Sequence, residues 1–240
     1  MVSRSQDQNE SEFEFCTGVP GQNNGRGTGI IETRGLVRVV DAIGLLDGSK
    51  AWKREDKVGL EDWFSDYLTW LTTNKNGLDE AAAKNNHGTH YDVQVTSFAL
   101  FVGKKDLAKK VHESAKQNRI AKQIESDGRQ PLELERTKSW SYSTMNLDGL
   151  VKLAILGDAV GVDLWSFQTA DGRGIRSAIN FLCPFAKGEK KWPYQQIEEF
   201  QPERLYAVMR RAKYSDTKFK QIMTLVPSLR PDDETVLLGF

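Results

Sequence analysis

The chain has 240 residues, 39% of them hydrophobic, and its 33 basic side chains balance 33 acidic ones for a formal net charge of zero. That length suits one large domain or two small ones, and that apolar content excludes a chain disordered by composition. Zero net charge gives no support for nucleic-acid or membrane-surface binding through bulk charge, while leaving open a local basic groove for an acidic ligand.

Residues 1–17 are polar and read as a frayed tail, with 18–240 as the folded domain. "MVSRSQDQNESEFEF" lacks the apolar stretch of a signal peptide. Either the protein stays inside the cell or its true N-terminus is missing. "GVPGQNNGRGTG" (18–29) is a Gly/Asn-rich loop. A helix over about 30–46 follows, with Leu36, Val39, Val40, Ile43 and Leu46 on one stripe. The next is the clearest: Leu60, Trp63, Phe64, Tyr67, Leu68 and Leu71 keep helical spacing. Residues 73–90 read as a loop, and the Asn-Gly of "NKNGLD" reads as a helix stop. A third helix carries Tyr91, Val95, Phe98 and Val102 on one face. A charged helix runs over about 104–126, and 126–142 is an extended connection. Helices are expected at about 143–160, around Ile175 to Leu182 with Pro184 as the stop, at Leu205 to Ala212, and at 216–225.

Strand signals are almost absent, and no sequence repeat of fixed period occurs. The fold class is therefore all-α: about eight helices in successive hairpins, which fits a bundle or an arc of an α/α toroid. Cys16 and Cys183 make no disulfide framework, so the redox compartment stays open. No apolar run approaches ~20 residues, so membrane insertion is not expected.

Three clusters carry chemistry. In "KNNHGTHYDVQ" (84–94) stand two of the chain's three histidines. His87 and His90 lie one turn apart if helical, a usable metal spacing, but Gly88 interrupts the turn and no third ligand sits at a motif-like distance. Asn85 or Asn86 also suits a helix cap. In "LELERTKSWSYSTMNLDGLVKLA" (132–154), Arg136 and Tyr142 lead into a helix. Alone, they read as a solvated arginine and a tyrosine packed on a helix start. In "NNGRGTGIIETRGL" (23–36), the glycines resemble a phosphate loop only faintly, without GK[ST] or a preceding strand. Glu32 and Arg34 there are either a salt-bridged helix start or a polar pair at a ligand cleft.

Taken together, "NNHGTHYDVQ", "ERTKSWSYSTMNLDGLVKLAILGDAVGVDLW" and "GRGTGIIETRGLVRVVDAIGLL" resemble the alginate lyase domain of the α/α-toroid polysaccharide lyases, over roughly residues 18–225. The resemblance implies an active centre of Asn86, His87, Arg136 and Tyr142, and β-elimination on a uronic-acid polymer. Alginate or polymannuronate comes first as substrate and glucuronan next. The chemistry agrees with the residue types. Removing the C5 proton beside a carboxylate requires that carboxylate to be neutralised, by the Asn86 amide and the Arg136 fork. Tyr142 then serves as base and acid when C5–H and O4 share a face, as in mannuronate. Where they lie on opposite faces, His87 is the base and Tyr142 the acid. A neighbouring cation, Arg136 or protonated His87, would lower the tyrosine's pKa from its usual value of about 10. No metal or organic cofactor is required.

Around this centre, Tyr91, Trp140 and Trp165 offer stacking surfaces for sugar rings, with burial in the core as the competing reading for each. Gln94 is placed to face the same cleft, and Arg26, Glu32 and Arg34 are candidates for further substrate subsites. His90 becomes a supporting residue, and Asn146 and Asp148 stabilise the helix start after Tyr142. A complete toroid of this kind needs more helical hairpins than this sequence supplies, so an incomplete toroid is expected. Exposed apolar faces on such an arc point to oligomerisation or instability. The family is usually secreted or periplasmic. Two other functions fit the same residues: an acidic-glycan-binding helical module or inactive lyase fragment, and a metal hydrolase built on His87 and His90.

Overall fold

The computed structural model describes Gly21, residues 25–46 and residues 48–212. The chain divides into two compact units, Met1–Ala83 with His87–Glu113, and Lys84–Asn86 with Ser114–Phe240. Both are helical. Among the described residues there is no strand, and the isolated antiparallel bridge is Lys138 with Gln196. The all-α expectation stands.

In the first unit a 3-10 helix, Gly27–Gly35, runs directly into α1 (Leu36–Leu46), so helical structure begins earlier than its apolar stripe. α2 (Arg54–Thr73) starts with Glu55 and Asp56 in its first turn, where acidic side chains suit the helix dipole. It buries Phe64, Tyr67, Leu68 and Leu71, as its stripe predicts. Asn74 is extended (ψ 147°) and ends α2, while its Oδ1 accepts the Asn76 N–H at 2.8 Å and starts α3 (Lys75–Ala81). This corrects the loop expected over 73–90, and the Asn-Gly pair lies inside a helix. Gly77 is needed there because α3 folds back onto the end of α2. A Cβ at Gly77 would lie 2.0 Å from the Leu71 carbonyl oxygen. α4 (Asn86–Phe101) begins ahead of its apolar face, and α5 (Lys105–Ala115) follows. The ring centroids of Phe64 in α2 and Phe98 in α4 are 4.9 Å apart.

In the second unit α5 continues through a π-helical turn, Lys116–Ile120, to Gln123. The connection expected to be extended contains a short helix, α6 (Pro131–Leu134), opened by a proline at its first turn. α7 (Ser139–Gly157) starts before the expected residue 143. It lacks a local capping side chain, and its first N–H groups are met by a distant segment instead. Ser139 N donates to the Gln195 carbonyl (3.2 Å) and Trp140 N to Gln196 Oε1 (3.1 Å). α8 (Ile175–Ala186) passes through Pro184, which corrects the expected stop. A proline so near the C-terminal end removes only one N–H from the ladder. α9 (Glu203–Ala212) follows. Leu147, Leu150 and Val151 of α7, Ile179 and Leu182 of α8, and Leu205 and Val208 of α9 are buried. The tail 1–17, Cys16 and the helix expected at 216–225 fall outside the described residues, and Cys183 is buried in α8. No described helix is long and apolar enough to cross a membrane.

Candidate active site

Asn86 is the first residue of α4 and is 0% exposed. Its backbone N and its side-chain Nδ2 each donate to one oxygen of Glu133, at 2.7 Å and 2.7 Å. The carboxylate of Glu133, itself 1% exposed, thus caps α4 with two charge-assisted hydrogen bonds. This carboxylate, 47 residues further along the chain, meets the Asn86 N–H in addition to any cap from the expected Asn85 or Asn86. Around it runs a buried amide network. Asn146 Nδ2 donates to Gln123 Oε1 (3.0 Å) and Gln130 Oε1 (2.8 Å). Gln123 Nε2 donates to the Asn85 carbonyl (3.2 Å), and Gln130 Nε2 to the Ser143 carbonyl (3.1 Å). Asn146 therefore belongs to the interior of α7, not to its start. Asp148 likewise lies within α7, paired with Arg211 and Lys152.

Glu133 also places the next functional side chain. Its carbonyl accepts the Arg136 N–H at 3.2 Å, closing the turn after α6. From there the Arg136 guanidinium lies over the Tyr142 ring, with Cζ 4.1 Å from the ring centroid. Tyr142 is in the first turns of α7, held by its N–H to the Lys138 carbonyl at 2.9 Å. Lys138 is ion-paired with Glu198, whose hydrogen bond holds the ammonium above its ordinary pKa. Both Arg136 and Tyr142 are half-buried. Among the described residues Arg136 has no carboxylate partner and the Tyr142 hydroxyl has no hydrogen-bond partner. A stacked guanidinium keeps its in-plane N–H fork for an anion.

His87, the residue after Asn86, is 19% exposed, and its Nδ1 lies 2.8 Å from Glu80 Oε1. Its companion in the metal reading, His90, is buried within α4. No three His, Cys, Asp or Glu side chains among the described residues gather as a metal-ligand set.

Several expected sugar contacts lie in the interior. Trp140 is buried, tilted against Phe200 with centroids 4.4 Å apart, and its Nε1 donates to the Gln201 carbonyl at 2.7 Å. Trp165 is buried too, with Arg176 over its ring at 5.7 Å. The Tyr91 hydroxyl donates to the Leu71 carbonyl (2.9 Å). Gln94 accepts from Thr33 Oγ1 at 2.6 Å. These four side chains present no open face to a polymer, which corrects their assignment as substrate contacts. Arg26 and Glu32 are exposed, and Arg34 reaches Glu32 at 4.0 Å, which fits the helix-start pair. The sequence reading missed Glu80 and Glu133. Glu133 looks like one acid in the charged run "LELER", and Glu80 like a surface residue in "LDEAAAK"; no local pattern marks either as buried.

The alginate lyase family model matches residues 7–192. Among solved structures, an alginate lyase from Bacteroides ovatus is similar over 94% of this chain, with 34% identity and a TM-score of 0.87. This chain spans 61% of the length of that one. No curated protein matches it.

Proposed function

The chain belongs to the alginate lyase family, and on that premise we propose that it cleaves a uronic-acid polymer by β-elimination, alginate or polymannuronate first and glucuronan next. The observation that carries this reading is the half-buried pair of Arg136 and Tyr142. The guanidinium fork receives the C6 carboxylate of the uronate and draws charge into it, which makes C5–H acidic enough to remove. The C5–H electrons form the C4=C5 double bond, and O4 leaves with a proton. For mannuronate, Tyr142 takes the first proton and returns it to O4. Glucuronate, which differs from mannuronate only at C2, follows the same route; for guluronate, His87 takes the C5 proton and Tyr142 protonates O4.

Asn86 has a different part from the one expected of it. Its amide is engaged by a carboxylate of the protein and has no open surface, so it serves from beneath. It anchors the first turn of α4, from which the next residue, His87, projects. Arg136 takes over the neutralisation of the substrate. The partner implied is an acidic polysaccharide, and the chemistry calls for no cofactor.

The test is the ultraviolet absorbance of the unsaturated uronate released from alginate and glucuronan. Tyr142→Phe is expected to lower turnover by about 10²–10⁴-fold, the range of a lost acid–base group. Its melting temperature should match the wild type, since no hydrogen bond to the hydroxyl is lost among the described residues. Polymer binding by the wild type without release of product would favour the glycan-binding module instead. Undiminished activity in Tyr142→Phe would sink the assignment of Tyr142.

A further inference from the structure

Glu80 sits in the last turn of α3 and is 1% exposed. A carboxylate is out of place there on two counts. The C-terminal end of a helix carries partial negative charge, and burial strips the acid of water. Its Oε1 meets Nδ1 of His87 at 2.8 Å, while its Oε2 is buried with no hydrogen-bond partner among the described residues. Packing does not require an acid here: a neutral side chain of similar volume would fill the space without the desolvation cost. What the acid does that a neutral residue would not is act on the imidazole.

We propose that Glu80 is a positioning residue that fixes the ring of His87 and the place of its proton, so that Nδ1 is the protonated nitrogen and the chemistry falls to Nε2. The inference rests on the lyase reading above. A carboxylate accepting from Nδ1–H selects that tautomer of the neutral ring, the less common one for histidine in water, and holds the ring plane. When Nε2 takes the proton from C5, the same carboxylate stabilises the imidazolium that forms. The C–H electron pair goes to the C4=C5 bond, and O4 departs with the proton of Tyr142.

Histidine-labelled full-length protein tests this by long-range nitrogen–proton NMR. The chain has only three histidines, so a His87→Gln spectrum assigns the signal. The expected result is the Nδ1–H form for His87 in the wild type and a shift toward the Nε2–H form in Glu80→Gln. The same substitution should lower kcat roughly 10²-fold on polyguluronate, with KM within about twofold. Glu80→Asp should recover part of the loss. An Nε2–H tautomer in the wild type overturns the proposal, as does an unchanged kcat in Glu80→Gln. If Glu80→Gln does not fold, the wild-type tautomer decides alone. A wild type that releases no unsaturated product defeats the lyase reading, and the tautomer still reports whether Glu80 orients His87.

Discussion

α2 and α4 touch through Phe64 and Phe98 in one unit, yet they are buried in opposite ways. α2 hides Phe64, Tyr67, Leu68, Trp70 and Leu71 and shows Asp62, Asp66 and Thr69 to water. α4 is buried at every position from Gly88 to Ala99, including the polar side chains Thr89, His90, Asp92, Gln94, Thr96 and Ser97. A two-faced helix is held by apolar area, and any side chain of similar volume serves at a given core position. A helix buried all round must find a partner inside the protein for nearly every polar group it carries. Gln94 shows how this is done. The hydroxyls of Tyr67 and Thr33 share a hydrogen bond (2.7 Å), and Thr33 Oγ1 donates to Gln94 Oε1 (2.6 Å). That chain ties the 3-10 helix, α2 and α4 through side chains. The polar interior of α4 thus holds rigid the helix that begins with Asn86 and His87.

Phe64→Ala tests the apolar side of this contrast most heavily. Removing a buried ring from a packed cluster should cost about 3–5 kcal/mol in urea denaturation. Activity per folded molecule should be unchanged. A loss under about 1 kcal/mol would mean that α2 is not held by its stripe. Gln94→Ala tests the polar side and should cost less, about 1–3 kcal/mol. The lower half of that range is expected, because Thr33 Oγ1 also lies 2.7 Å from the Ile30 carbonyl and can donate there instead. If Gln94→Ala is neutral, the polar interior of α4 contributes nothing that apolar packing would not.

These two burial modes also decide what was legible in the sequence. The stripe of α2 could be read directly, as could those around Ile175, Ala178, Ile179 and Leu182 and around Leu205, Val208, Met209 and Ala212. The starts of α4 and α7 could not, because their caps come from far along the chain. Glu133 lies 47 residues beyond the Asn86 N–H it accepts, and Gln196 lies 56 beyond that of Trp140. Local capping rules have nothing to detect in such cases. Within the site, the spacing of Arg136 and Tyr142 drew attention to a pair that the structure stacks. Their supporting acids stayed hidden, since a glutamate looks the same in a sequence whether solvated or buried. Trp140, Tyr91 and Gln94 went the other way. Aromatic and amide side chains suit a sugar and a core equally, and only burial separates the two uses.

The smallest effect is expected at Lys75, where the contrast can be tested inside one short helix. Lys75 and Asp79 form an (i, i+4) ion pair on the exposed surface of α3. Its order is the unfavourable one, with the cation in the N-terminal turn where the helix dipole opposes it. An exposed pair contributes about 0–1 kcal/mol at best, and the dipole subtracts from that. Alanine in its place gains slightly in helix propensity. Lys75→Ala should therefore change stability by less than about 0.5 kcal/mol in urea denaturation. Nearby in the same helix, Gly77 lies against the Leu71 carbonyl, where a Cβ would stand 2.0 Å from the oxygen. α3 is thus held by the Asn74 cap and by its close approach to α2, not by its surface charges. A loss above about 1 kcal/mol at Lys75 would reverse that order, and would give the ion pair a weight that exposed pairs do not normally carry.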